Sequence, residues 1–181
     1  MIDLTPYYNS SKRTGLSPLA SLPSGLQTMA GTVFDIRGVI QLSRRRDRSG
    51  DSGYLEKIID INIGLKSRRL HFLHATTFQA EGGTRVGSYV VRYAKNEPQV
   101  IPIVYGEDVR NWETVKREPL TTQKSSLAWI GSNPLVQSQT GLLRLFKTTW
   151  ENPLPDDEIA SIDFVSSMSD AAPFLVAITA D

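Results

Sequence analysis

Short runs in which apolar and polar side chains alternate with a period of two recur along most of the chain, while a helical period of 3.6 is nowhere sustained. In residues 33–42, Phe34 and Ile36 alternate with Asp35 and Arg37, the pattern of a half-buried strand, and Gly38 is expected to mark a bulge or bend. Residues 58–63 alternate again. Residues 69–75, Arg69-Leu70-His71-Phe72-Leu73-His74-Ala75, are denser in apolar groups and suit a central strand buried on much of both faces. Further strands are predicted over 88–94, 100–105, 127–130, 142–147, 159–166 and 174–179, giving about nine in all, each bounded by Gly, Asn, Pro or charged turns. Pro102 cannot donate a ladder hydrogen bond, which predicts an edge strand or a bulge there. The only helical signals are short turns at 107–112 and after Pro134. Many short strands without helices predict an all-β domain, a sandwich or a barrel.

The remaining segments fix the organisation. Residues 1–30, rich in Ser, Pro, Gly and Leu, read as an extended N-terminal arm lying along a β-sandwich domain of residues 31–181, with fraying at Met1 and Ile2. The polar run at 44–53, with Arg44, Arg45, Arg46 and Arg48, reads as an exposed, mobile loop. Between the last strands lies a shaped turn, Thr149-Trp150-Glu151-Asn152-Pro153-Leu154-Pro155-Asp156-Asp157-Glu158, of the kind on which an all-β scaffold carries function.

Composition narrows the function classes. A chain of 181 residues supports one core, and a formal net charge of +1 exerts no global pull on nucleic acid or anionic membrane. No run approaches the roughly 18 apolar residues of a membrane span, and the first residues lack the charged and apolar parts of a signal peptide. The absence of cysteine removes disulfides, thiolate catalysis and cysteine-based metal sites, but leaves the compartment open.

The runs Phe34-Asp35-Ile36-Arg37-Gly38-Val39-Ile40-Gln41-Leu42, Arg69-Leu70-His71-Phe72-Leu73-His74-Ala75, Gly87-Ser88-Tyr89, Thr149-Trp150-Glu151-Asn152-Pro153 and Ala172-Pro173-Phe174-Leu175-Val176-Ala177-Ile178-Thr179 resemble a bacterial module of large multidomain proteins. That module is similar to galactose-binding-like jelly-roll domains, a group that includes many carbohydrate-binding modules, and the similarity covers roughly residues 20–181. The resemblance implies an antiparallel jelly-roll sandwich, an accessory role beside other domains of a parent protein, and a periplasmic or extracellular location. It also implies a possible structural calcium. Asp156, Asp157 and Glu158, with Asn152 nearby, could supply oxygen ligands, but their spacing matches no defined calcium loop, and a solvated acidic turn is the plainer reading.

Sugar recognition needs a flat apolar face and a few polar groups to fix hydroxyls. Trp112, preceded by Asp108, Arg110 and Asn111 just beyond a strand, offers both and is the favoured ligand-binding cluster, although a tryptophan buried for structural reasons fits the same residues. Trp150 and Asn152 suit a folding clasp as well as a site, and Trp129 reads as core. His71 and His74, three apart on a strand, fall on opposite faces and do not share a metal; His74 lines a binding rim or is satisfied by a neighbouring hydrogen bond. Asp35 and Arg37 share a face and can pair. No nucleophile elbow, phosphate loop or paired glycosidase carboxylates are evident, so no catalytic residue is assigned. The expectation is a non-catalytic carbohydrate-binding module of millimolar to micromolar affinity, on the order of 4 to 8 kcal/mol. The alternatives are a structural or protein-interaction sandwich without a sugar site, and a small hydrolase with a deep acidic cleft.

Overall fold

A computed structural model describes residues 1–10, 21–45, 54–114, 118–137 and 141–181 of the chain. Its strands are β1 (Gly25–Met29), β2 (Thr32–Ile36), β3 (Ile40–Gln41), β4 (Lys57–Leu65), β5 (Arg69–Thr77), β6 (Arg85–Tyr93), β7 (Gln99–Val104), β8 (Ser126–Gly131), β9 (Leu143–Glu151), β10 (Ile159–Ser166) and β11 (Ala172–Ala180). One short helix, α1 (Pro134–Gln137), and a 3-10 turn at Thr5–Tyr7 are the helical elements among the described residues.

The strands pair antiparallel into a four-stranded sheet of order β4-β10-β6-β7, a five-stranded sheet of order β3-β11-β5-β9-β8, and the hairpin β1-β2. The two large sheets pack as an antiparallel sandwich. Ile61 and Ile63 of β4, Phe164 of β10, Tyr89 and Val91 of β6, and Ile103 of β7 meet Leu70 and Phe72 of β5 and Ile178 of β11 between them. Phe72, Tyr89 and Phe164 stack in series through this layer, with ring centroids 4.0 and 5.1 Å apart.

The five-stranded sheet is also covered on its second face. Phe34 and Ile36 of β2 and Met29 of β1 pack there with Leu73 and Ala75 of β5, Leu143 and Leu145 of β9, and Phe174 and Val176 of β11. This explains the dense composition of the central strands: β5 and β11 are buried at consecutive positions because neither face meets water. Thr179 Oγ1 donates to Val33 O at 2.7 Å and Lys147 Nζ to Ala30 O at 2.5 Å, fastening the hairpin to β11 and β9.

Three boundaries differ from the sequence reading. Residues 25–29, placed in the arm, form β1; Ala30 and Gly31 both have positive φ (46° and 76°), the conformation that closes a two-residue hairpin with the right twist. The run 33–42 splits into β2 and β3, which lie in different sheets. The break falls near Gly38, where a Cβ would lie 2.6 Å from the Tyr8 ring, so glycine is required for close approach. Ile2 does not fray: its N–H donates to Ile178 O at 2.9 Å, and it packs in the inter-sheet core with Leu4. Most of the loop expected at 44–53 lies outside the described residues.

The two open sides of the sandwich are closed differently. On one, residues 1–10 run along the seam. The Tyr7 hydroxyl donates to Asp60 O (2.9 Å) and accepts from Asn62 N (3.0 Å) on the outer edge of β4, while the Asn9 amide exchanges bonds of 2.8 and 2.9 Å with the Gln41 backbone on β3. On the other, edge strand β7 carries Pro102, as predicted, and the segment after it folds back across the seam toward β8.

Candidate functional site

The segment from Val104 to Lys124 holds the residues expected to bind sugar. Gly106, at φ 87°, lets the chain reverse after β7, and its N–H donates to Val109 O at 2.7 Å; the Asp108 carboxylate accepts from Val104 N at 2.8 Å and closes the turn. Residues 110–112 then insert between β5 and β9: Thr76 N donates to Arg110 O, Trp112 N to Thr76 O and Arg144 N to Trp112 O, at 3.1, 2.8 and 2.8 Å. This insertion turns the Trp112 indole inward. It is 3% exposed and meets the Phe174 ring edge-on at 86° in the core beneath the hairpin.

Trp112 therefore cannot be a stacking platform, because no face of its ring meets solvent. Asp108 and Asn111 are buried as well, and burial raises the Asp108 carboxyl above its ordinary value. Arg110 is held by Thr121 O at 2.8 Å and by Glu118 at 3.5 Å.

What holds this segment in place is a residue the sequence reading passed over. Arg144, on β9, is fully buried. It donates to Asn111 O (2.8 Å), to Pro119 O (2.5 Å) and to the Glu118 carboxylate (2.6 Å), whose other oxygen accepts from the Tyr105 hydroxyl at 2.5 Å. Arg110, Glu118 and Arg144 form a buried triad whose backbone partners meet the desolvated donors. It acts as an internal clamp on the crossing segment.

His74 is likewise internal, at 1% exposure, and is not a rim residue. Its Nδ1 lies 3.0 Å from the Tyr89 hydroxyl and its Nε2 2.7 Å from Thr148 Oγ1, which in turn lies 2.5 Å from Ser125 Oγ. With both nitrogens engaged and no charge partner, burial pulls its pKa down to about 3 and keeps the imidazole neutral. His71 takes the other face of β5, bonded to Thr149 Oγ1 at 2.9 Å.

The late turn divides into a clasp and a surface cleft. Asn152 is buried and saturated: Oδ1 accepts from Leu154 N (2.9 Å) and from the Tyr93 hydroxyl, and Nδ2 donates to Ser67 O (2.8 Å) and Leu154 O (3.1 Å). Asp156, Asp157 and Glu158 line a cleft of about 170 Å³ with Lys66, Ala94 and Lys95. Two ammonium groups share that cleft, and Asn96 donates to Asp157 at 2.6 Å. Among the described residues, no group of three or more acidic or histidine side chains is arranged to hold a metal ion.

One aromatic stands out by its exposure. Every aromatic side chain of the chain lies among the described residues, and of these Phe78, 51% exposed, is the most open to solvent, while Tyr7, Tyr8, Tyr54, Trp129 and Trp150 are half-buried. Phe78 follows β5 directly and has φ 65°, a left-handed conformation that costs a non-glycine residue about 1–2 kcal/mol. Thr76 Oγ1 holds it by donating to Phe78 O at 3.1 Å. The Arg44 guanidinium lies 3.4 Å from the centroid of the Phe78 ring, and Arg44 Nη1 reaches Asp170 O at 3.5 Å. Segments 42–45, 77–78 and 168–172 thus meet at one end of the sandwich, with Arg45 N on Ser169 O at 2.9 Å and Thr77 opposite Ala172 in the ladder. Met168, in the third segment, is a second residue with positive φ, at 52°. The one sequence signal for this corner was an aromatic placed immediately after a strand and before the polar run Gln79-Ala80-Glu81-Gly82-Gly83.

The Arg44 guanidinium and the Phe78 ring thus lie together at this end of the sandwich, a cation against an aromatic. No family model, no curated protein and no solved structure matches the chain.

Proposed function

We propose that this chain is a non-catalytic carbohydrate-binding module, of galactose-binding-like jelly-roll type, whose platform is Phe78 with Arg44. The observation that carries the reading is the exposure of Phe78, the most exposed aromatic of the chain, in a strained backbone at the end of the sandwich. Strain that keeps an apolar ring in water, at a cost to stability, is found where the ring has a task. A pyranose C–H face stacks on the open part of the ring, which Arg44 holds from beside it.

The test is a glycan array probed with the intact chain and with its Phe78→Ala and Arg44→Ala variants. The reading predicts saturable binding by the parent chain that Phe78→Ala abolishes and Arg44→Ala weakens. A flat array for the parent chain, or binding that persists in Phe78→Ala, contradicts it.

A second reading, a protein-interaction sandwich, draws on β8. This edge of the five-stranded sheet, Ser126-Leu127-Ala128-Trp129-Ile130-Gly131, has no charge and no proline, and Ile130 is exposed. Natural edges are commonly blocked by such residues. Here β7 carries Pro102, and Tyr7 caps β4. An apparent mass that rises above 20.1 kDa with concentration, and is restored to monomer by Ile130→Lys, supports this reading; a constant monomer mass opposes it.

A further inference from the structure

Resting on the second reading above, that β8 is an interaction edge, we infer that its partner is a second copy of this chain. Two copies pair antiparallel through β8 about a twofold axis, and their five-stranded sheets join into one continuous sheet.

The backbone of this edge is free. β8 stands last in its sheet, and among the described residues it makes no backbone hydrogen bond beyond its ladder with β9. Its outward N–H and C=O groups are a template for one more strand. The other edges of the two large sheets are blunted: Tyr7 bonds the backbone of β4, Asn9 bonds that of β3, and Pro102 removes a donor from β7. With one open edge, pairing ends at two copies, a closed assembly rather than a growing one.

The side chains decide what kind of strand fits. The β8–β9 ladder shifts between Leu127 and Trp129, with Leu127 opposite Phe146 and Ile130 opposite Arg144. Phe146 and Arg144 are two apart, so Leu127 and Ile130 share a face of the sheet although three positions separate them. Ile130 is exposed. So are Leu142, two residues before Arg144, and Leu120, next to the Pro119 carbonyl that accepts from Arg144. An uncharged strand thus borders an apolar rim around the buried arginine.

These properties favour the chain's own copy. Near a twofold axis each side chain approaches its own duplicate, so a charged strand repels itself and an uncharged one does not. β8 has no charged residue, and a formal net charge of +1 leaves little long-range repulsion between copies. The shift in the ladder adds local twist, and symmetry gives both strands the same twist. A contact through one strand of six residues is small beside a permanent interface, so the dimer is transient and concentration-dependent.

The experiment joins sedimentation velocity over a wide concentration range with cysteine pairing. The inference predicts a mass that rises from 20.1 kDa toward twice that value and no further. Ile130→Lys should raise the concentration needed for dimers about tenfold or more. A melting curve checks its folding, and Ile130→Thr replaces it where lysine unfolds the chain. The chain has no cysteine, so introduced thiols report pairing cleanly. Antiparallel pairing brings Ser126 of one copy close to Ile130 of the other and keeps the two Ser126 residues roughly 15 Å apart, beyond disulfide reach. Under mild oxidation, Ser126→Cys mixed with Ile130→Cys should therefore cross-link about tenfold more than either variant alone. Ser126→Cys that links to itself as well as the mixture does, or a mass that grows past the dimer, overturns the closed antiparallel pair while leaving β8 an interaction edge. A constant monomer mass, or a dimer indifferent to the change at Ile130, overturns both.

Discussion

Two residues show how differently burial and exposure set chemistry in this chain. His74 is enclosed by Phe72, Tyr89 and Thr148, and burial holds its pKa near 3, against about 6.5 in an unfolded chain. Between those values the unfolded state binds the proton and the folded state does not, so stability falls as pH drops from about 6.5 toward 3, by up to about 1.4 kcal/mol per pH unit. Urea midpoints measured from pH 7 to pH 4 are expected to fall more steeply for the parent chain than for His74→Gln, which has nothing to titrate. Parallel slopes would show that His74 does not carry the effect. Phe78 is the converse case, an apolar side chain held in water by a left-handed backbone. The sequence carried the burial of His74 and its reading as a histidine satisfied by a neighbouring hydrogen bond, but not its partners, and it carried nothing of the Phe78 environment. His74 sits in a run dense enough to be called buried, but its partners come from β6 and β9, far along the chain, and no local pattern separates a strained loop phenylalanine from an ordinary one.

At the scale of elements, period-two alternation located most strands because one-faced burial writes itself into sequence, and β10 was placed at its observed bounds, Ile159–Ser166. The same rule hid Arg144. Between Leu143 and Leu145 an arginine reads as outward-facing, and so it is, relative to the core beneath the hairpin; Asn111, Glu118 and Pro119, from the connection between β7 and β8, then cover it on that side. Composition also misled at β1, whose burial pattern of mostly exposed positions leaves almost no alternation to detect. The clamp makes a quantitative prediction. Glu118→Gln leaves Arg144 buried beside an uncharged partner and should cost about 3–5 kcal/mol in denaturant unfolding, whereas the joint replacement Arg144→Met with Glu118→Leu should cost markedly less than the sum of the single changes. Additive costs would mean that the two residues do not act as a unit. On the opposite seam, Tyr7→Phe removes both hydroxyl bonds to the β4 backbone and should cost about 1–2 kcal/mol without changing the sheet signal in circular dichroism.

For the whole molecule, the sandwich is a three-layer body in which the five-stranded sheet is buried from both sides, and its two seams are closed by an N-terminal strap and by an ion-clamped connection. The cluster that looked most like a sugar site became part of the closure, since a tryptophan with polar neighbours serves equally well to pack and pin a crossing segment. The most direct measurement is therefore a paired one: folding stability and glycan retention of Phe78→Gly beside those of Trp112→Ala. Glycine relieves the left-handed strain, so Phe78→Gly should fold within about 1 kcal/mol of the parent chain and lose all retention. Trp112→Ala should lose about 3–5 kcal/mol of stability and, at temperatures where it stays folded, keep its retention. Full retention by Phe78→Gly would contradict the account.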